Sequence, residues 1–243
     1  MKVFFSSVRV KIERSMWSDP LQTLLLQRGE AHVWRTRLEQ PPERVDEFLR
    51  TLVDEERTRA SRFHFDKHRR HFVVARGVLR LLLSRYLETR PEDVRFHYSS
   101  YGKPLLDGEH RASSLRFNAS HSGEIALYAF IQDYEIGVDV EYIKPEFITE
   151  GIAERFFSTS EIQTLNVLAE AERPAQFFRL WTRKEAYIKA VGSGLSHPLN
   201  TFDVTVPIPD WSMFDLDVES GYAAALAIKG PVHKLIQFDL KSA

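Results

Sequence analysis

The stretch IGVDVEYI, residues Ile136 to Ile143, reads as a β-strand, dense in β-branched and aromatic residues with a Gly near its start. Strand alternation sends Val138 and Val140 to one face and Asp139 and Glu141 to the other, so two carboxylates lie side by side. Like charges this close repel, and in a partly buried setting a cation or a proton must offset the repulsion. The stretch also opens the second of two similar halves. After it, residues 148–169 carry short helical patterns, and Pro174, in a first turn where its missing N–H costs nothing, opens a long helix to about Val191. Before it the order is the same: a strand at His32 to Leu38, short helices from about Glu43 to Ala60, and a long helix from about Lys67 to Leu87. Then come YGKPLL and strands at Leu115 to Ala119 and Ile125 to Ile131, which GLSHPL, TFDVTV (201–206) and YAAALAIK echo in turn. The long helices correspond at a spacing of roughly 105 residues, too long for a solenoid and right for a duplicated subdomain.

The expected fold is therefore α+β, with pseudo-two-fold duplicated subdomains over residues 1–134 and 135–243, each a small antiparallel sheet packed on a long helix. The active site is expected in the cleft between them. The first thirty or so residues fit neither half and read as an edge strand plus an irregular or helical lead-in. A chain of 243 residues, 43% hydrophobic and 12% aromatic, is long enough to bury a full core. The formal charge of −1 argues against a general nucleic-acid binder, and the absence of cysteine excludes disulfides and thiolate chemistry. Only Val3 to Phe5 interrupt the polar N-terminus, and no apolar run nears the ~18 residues of a membrane span, so a cytoplasmic location is expected.

Charge is unevenly spread. Residues 54–90 hold twice as many Lys and Arg as Asp and Glu, plus three His, which reads either as a solvated helix face or as an anion site. In FFRLWTRKEAYIKA (177–190), Phe177, Phe178, Leu180, Trp181 and Ile188 form one helical stripe on which Lys184 and Glu185 also fall, with Lys189 at its border. Arg179, Arg183 and Ala186 are expected to face away. A charge on a core-facing stripe must be paired or metal-bound, so Glu185 either bridges to Lys189 or joins Asp139 and Glu141. Those three acids make an all-oxygen site suited to Mg²⁺, which completes its shell with water and substrate phosphate. On the first long helix Arg76 and Arg80 edge the apolar stripe, to bind phosphate or to pair across the interface between halves. FNASHSGE (117–124) has no nucleophile elbow, and neighbours on a strand point to opposite faces, so Ser120 and His121 read as phosphate-holding groups rather than a hydrolase pair. Gly102-Lys103-Pro104 adds a cation in a rigid turn without a Walker A loop, and Gly192-Ser193-Gly194 reads as a helix cap.

Taken together, YGKP, FNASHSG, IGVDVE and FFRLWTRKEAYIKAVGSGL resemble the motifs of the Sfp-type 4′-phosphopantetheinyl transferases, in kind and order from about Arg57 to Leu199. The resemblance implies a monomer with coenzyme A between the halves and transfer of its phosphopantetheine arm to a serine of an apo acyl or peptidyl carrier protein. It implies that Asp139, Glu141 and Glu185 hold Mg²⁺, that Glu185 acts as the base, and that Lys189 neutralises the phosphates as 3′,5′-ADP leaves. It implies nucleotide contacts from Tyr101, Gly102, Lys103, Asn118, Ala119, Ser120 and His121, and a phosphate contact from Arg59. At Glu56 the chain is acidic where some relatives carry Lys, and some relatives lack an acid at Glu141. Two rival readings share the carboxylates: a Mg²⁺-dependent phosphotransferase or pyrophosphatase without a protein acceptor, and a non-catalytic carrier-binding protein.

Overall fold

The computed structural model describes residues 17–19, 24–148, 151–192, 194 and 198–240. Most of the lead-in before residue 24 lies outside these, apart from Trp17 to Asp19, where Ser18 bridges to Phe238. The first half runs β1 (Glu30–Arg37), α1 (Pro42–Thr51), α2 (Asp54–Ser61), α3 (Asp66–Leu87), the short strands β2 (Phe96–Tyr98) and β3 (Pro104–Leu106), β4 (Leu115–Ser122) and β5 (Ile125–Gln132). The second runs β6 (Ile136–Tyr142), α4 (Ile152–Phe156), α5 (Thr159–Asn166), α6 (Arg173–Val191), β7 (Trp211–Asp215) and β8 (Tyr222–Lys229). A last strand, β9 (Lys234–Asp239), crosses back and pairs in parallel with β1. The sheets are ordered β4-β5-β1-β9 and β6-β8-β7, so β1, β5 and β4 stand to α3 as β6, β8 and β7 stand to α6. The α+β duplication is present, and apart from β9 its main sheets are antiparallel.

Alternation along the strands stacks the layers. Trp34, Tyr128 and Phe130 face α3 through Val74, Val78 and Leu82, while Val33, Leu127, Ala129 and Ile131 face the second sheet through Val138, Val140, Leu226 and Ile228. The far face of that second sheet is built of small residues, Gly137, Ala225 and Ala227, and Ala186 and Ala190 of α6 settle directly on it. Ala186 is thus fully buried rather than turned outward, because α6 is covered both by the sheet and by the aromatic cluster of Phe157, Phe177 and Phe178. A single-stripe wheel cannot represent a helix with two buried sides.

The stretch TFDVTV is not the counterpart of β4; that role falls to Trp211–Asp215. Its alternation mimics a strand, but the Asp203 carboxylate accepts from the Thr205 N–H and hydroxyl, a local bond that turns the chain. Only Val204 is fully buried there, and Val206 is exposed. No helix among the described residues is long and apolar enough to cross a membrane.

Beneath the first sheet, the Tyr86 hydroxyl accepts from Trp34 Nε1 at 2.8 Å and shares a hydrogen bond with His32 Nδ1 at 2.7 Å. Burial pushes the His32 imidazole down to about 4, against the opposing pull of Glu30. His32 is therefore neutral in the fold and basic when unfolded, so its contribution is present above its ordinary value and is lost as pH falls toward its folded one. Urea unfolding should show stability declining between about pH 6.5 and about pH 4 by up to about 3 kcal/mol from this group. His32→Phe should flatten that window. A Cβ at Gly137 would lie 2.0 Å from the Ala186 carbonyl oxygen and 2.5 Å from the Ala190 nitrogen, so Gly137→Ala should cost about 3 kcal/mol or more by the same measurement. Gly102→Ala, where a Cβ meets nothing within 4 Å, should lose only the smaller cost, about 1 kcal/mol, of a positive φ.

Candidate active site

The two sheets meet where edge strand β4 runs beside edge strand β6, and side chains of alternate β4 residues join them. Asn118 Oδ1 accepts from the Val138 N–H at 2.9 Å, Ser120 Oγ donates to Asp139 Oδ1 at 2.8 Å, and Ser122 Oγ donates to Glu141 Oε2 at 2.7 Å. The period of two on both strands makes this possible: Asn118, Ser120 and Ser122 share a face, as do Asp139 and Glu141.

Helix α6 supplies the rest. Lys189 Nζ lies 2.5 Å from Asp139 Oδ1 and 3.0 Å from Ser120 Oγ, so Lys189 bridges to the strand acid and not to Glu185. Asp139 is 2% exposed, and desolvation raises its pKa against the downward pull of Lys189 and Ser120. Desolvation first, then Asp139 and Glu141, pushes the Glu185 carboxyl up to about 7. Glu141 is raised as well, by burial and by Asp139, against its bond to Ser122.

Two oxygens here are buried without a hydrogen-bond partner, Asp139 Oδ2 and Glu185 Oε1. Among the described residues no three His, Cys, Asp or Glu side chains form a ready-made metal cluster. The acids already have partners: Lys189 and Ser120 engage one oxygen of Asp139, and Ser122 engages one oxygen of Glu141. The two open oxygens nevertheless fit Mg²⁺, which takes one or two carboxylates and leaves the remaining positions to water and phosphate. A buried acceptor without a donor is compatible with a bound cation.

Other residues singled out in the sequence divide into groups. Arg59, Ala119, Ser120 and His121 line one cleft of about 190 Å³ with Phe72, Arg76, Pro104 and Tyr128, and the Arg59 guanidinium lies over the Phe72 ring at 5.1 Å. The His121 pKa is lowered, chiefly by desolvation of the ring and then by Lys189 and His71. Gly102 turns the chain at φ 78° and Tyr101 lies exposed beside Gly194. The Lys103 ammonium sits elsewhere, 3.6 Å from Glu135 and 3.4 and 3.5 Å from the Ile136 and Ala190 carbonyl oxygens, holding the end of α6 to the start of β6. The Asn118 side chain is committed to the β4–β6 seam. Arg80 does not reach the second half: it is 1% exposed and bonded to Glu56 at 2.6 Å and to the Pro91 and Val94 carbonyl oxygens. Ser122, in a Ser-His-Ser-Gly segment that reads in the sequence as a phosphate-holding turn after the strand, instead continues β4 and bonds Glu141; its place two residues after Ser120 is the signal for that role.

Neighbours in the Lys-Glu pair have opposite fates. Lys184 is fully buried, donates to Glu161 at 2.8 Å and to the Leu199 and Phe202 carbonyl oxygens, and ties α6 to the loop after it. Glu185, one residue on, faces the acids of β6. Lys184→Met should therefore cost about 3–5 kcal/mol in urea unfolding by stranding the Glu161 charge. Glu185→Gln, which removes charge from beside two acids, should leave the same unfolding midpoint unchanged or raised.

A family model described as "4'-phosphopantetheinyl transferase superfamily" matches residues 135–226, and one described as "4'-phosphopantetheinyl transferase, N-terminal" matches residues 39–132. The chain is 38% identical over 223 residues to the 4′-phosphopantetheinyl transferase HetI of Nostoc sp., covering 88% of this chain and 94% of that one. It is 31% identical over 201 residues to the 4′-phosphopantetheinyl transferase Sfp of Bacillus subtilis, covering 78% and 87%. To the 4′-phosphopantetheinyl transferase ffp of Bacillus subtilis it is 36% identical over 162 residues, covering 67% and 70%. With both halves matched and relatives covered over most of their length, the chain belongs to the 4′-phosphopantetheinyl transferase superfamily, as an enzyme of the Sfp type.

Proposed function

We propose that the enzyme transfers the 4′-phosphopantetheine of coenzyme A to a serine of an apo acyl or peptidyl carrier protein, with Mg²⁺, releasing 3′,5′-ADP, in the cleft between subdomains 1–134 and 135–243. The observation that carries this reading is the pair of buried, unpartnered carboxylate oxygens, Asp139 Oδ2 and Glu185 Oε1, beside an ammonium and next to a cationic cleft. Asp139 and Glu185 would hold the metal, with Glu141 held close by Ser122 as the third acid. Bound there, Mg²⁺ would screen the diphosphate oxygens that otherwise repel a nucleophile.

The remaining steps fall to the chain's own groups. Glu185, facing the acids of β6, would accept the serine proton, directly or through a water, as Oγ attacks the phosphorus bearing the pantetheine arm. The bond from that phosphorus to the bridging oxygen breaks, and the electron pair leaves on 3′,5′-ADP. Lys189, anchored on Asp139 and Ser120, is placed to neutralise the charge that develops on the leaving group. Arg59, Ala119, Ser120 and His121 line the cleft for the nucleotide, with Tyr101, Gly102 and Lys103 in the turn that leads to Pro104 on its wall. Because β4 of one half and β6 and α6 of the other build the site within one chain, a monomer suffices.

Incubation with coenzyme A, Mg²⁺ and a panel of apo carrier proteins should add the mass of one phosphopantetheine to a carrier, and chelation of divalent ions should abolish the gain until Mg²⁺ is restored. Asp139→Asn and Glu185→Gln should each lower the transfer rate by about 100-fold or more while thermal melting stays cooperative. Hydrolysis of coenzyme A without labelling of any carrier would instead establish a pyrophosphatase. Carrier binding and function that survive both substitutions would establish a non-catalytic binding protein.

A further inference from the structure

The turn between β2 and β3 belongs to the first half, yet two of its side chains rest on the second. It is tightly built: the Ser99 hydroxyl accepts from the Tyr101 and Lys103 N–H groups, the Ser99 N–H donates to the Lys103 carbonyl, and Gly102 takes a φ of 78°. Pro104 lines the cleft that holds Arg59, Ser120 and His121. Lys103 does not; it lines a second cavity, of about 310 Å³, with His97, Arg116 and Glu135. Its side chain is 12% exposed, and its ammonium lies 3.4 Å from the Ile136 carbonyl oxygen, 3.5 Å from that of Ala190 and 3.6 Å from the Glu135 carboxylate. The Tyr101 ring covers Gly194, just past the end of α6, where a Cβ would lie 3.0 Å from Tyr101 Cδ1.

These contacts fall at one point in the fold. Gly137 receives the backbone of α6 at Ala186 and Ala190, and Lys103 meets carbonyl oxygens on both sides of that seam, Ile136 on β6 and Ala190 on α6. The last carbonyl groups of a helix lack partners within it and carry partial negative charge, so an ammonium there draws on the helix dipole. The distances are long for hydrogen bonds, and the attraction is between charge and dipole, strengthened by the exclusion of water. Burial lowers the Lys103 pKa against the pull of Glu135, so the ammonium is kept there against desolvation. Ala190 directly follows Lys189, whose own ammonium must meet Asp139 and Ser120. A misplacement of about 1 Å at a reacting group can cost about 100-fold in rate.

Resting on the transferase reading, we infer that Lys103 is a positioning residue for the reaction: reaching over from the first half, it pins the end of α6 to the start of β6 and so sets Lys189 on Asp139, without contacting the nucleotide. Adjacent residues of the YGKP turn then divide the work. Pro104 faces the nucleotide cleft, and Lys103 holds the helix that carries Glu185 and Lys189.

Steady-state kinetics and calorimetric binding of coenzyme A, on wild-type protein and on Lys103→Met, test the assignment. Lys103→Met should lower kcat by about 10-fold while KM and Kd for coenzyme A stay within about two-fold, and Lys103→Arg, which keeps the charge, should recover part of the loss. A mutant cycle separates positioning from general damage: in a Lys189→Ala background, Lys103→Met should change the residual kcat by less than about two-fold, because its effect passes through Lys189. A loss that falls on KM and Kd with kcat unchanged would make Lys103 a nucleotide contact and overturn the assignment, as would an equal loss of kcat in both backgrounds. Lys103→Gln, which keeps a polar head without the charge, carries the same measurements if Lys103→Met does not fold. Wild-type protein that neither binds coenzyme A nor labels a carrier would overturn the transferase reading and this assignment with it, whereas an active wild type matched by Lys103→Met overturns this assignment alone.

Discussion

The contact between α6 and the backbone of β6 governs the rest of the structure. Gly137 has no room for a side chain, and Ala225, Ala227, Ala186 and Ala190 complete a seam of small residues that lets the helix lie on the sheet. Two residues after Gly137 on the same strand face comes Asp139, and one residue before Ala186 on the helix comes Glu185. Close approach of the backbones therefore also brings the acids close. Their mutual repulsion and desolvation are a cost that the packing of α6 overrides, and the buried oxygens left without donors are where that cost is stored.

A second constraint is the seam between the sheets. Asn118, Ser120 and Ser122 reach across from β4 to β6 with side chains. Of these bonds, the one from Asn118 goes to backbone, whereas the serine hydroxyls bond to carboxylates. The seam is thus stiff at Asn118 and chemically responsive toward the open end, where a hydroxyl can rotate as the charge on its acid changes. Lys189 binds both Ser120 and Asp139, so helix, first sheet and second sheet converge on one carboxylate. An acid held from three elements has little freedom to move when substrate binds, which is the preorganisation that phosphoryl transfer requires.

Much of this was legible in the sequence. The two long helices, the strand at IGVDVEYI, and the pairing of Asp139 with Glu141 on one face follow from periodicity, because strand and helix periods are local properties. The strand expected at TFDVTV failed because the Asx bond of Asp203 overrides an alternating pattern with a local turn, and no periodicity measures side-chain-to-backbone bonding. The placement of Ala186 failed because a wheel registers hydrophobicity and not size, and alanine on a polar arc looks solvent-facing until a glycine-bearing strand is laid over it. Which of Lys184 and Glu185 is structural was illegible too: both fall on the core-facing stripe, and only the position of Glu161, over twenty residues away, decides it.

The two halves have diverged in how they treat buried charge, and that asymmetry has a physical logic. In the first half Arg80 on α3 bonds Glu56 on α2 and the Pro91 and Val94 carbonyl oxygens, fastening the two helices, while Glu56 also lies 3.3 Å from Arg76. In the second half the corresponding face of α6 carries Glu185 with an oxygen unmatched. Among the described residues α3 carries one unmatched buried polar atom, Arg76 Nη1, and α6 one, Glu185 Oε1, and each is destabilising, since folding stability is a small residue of large terms. Repulsion among acids suits the divalent-cation site proposed above, and the buried Arg80–Glu56 pair suits a rigid junction of α2 with α3. Duplication supplied two copies of one scaffold, and the cleft between them works because the copies do not carry the same charges.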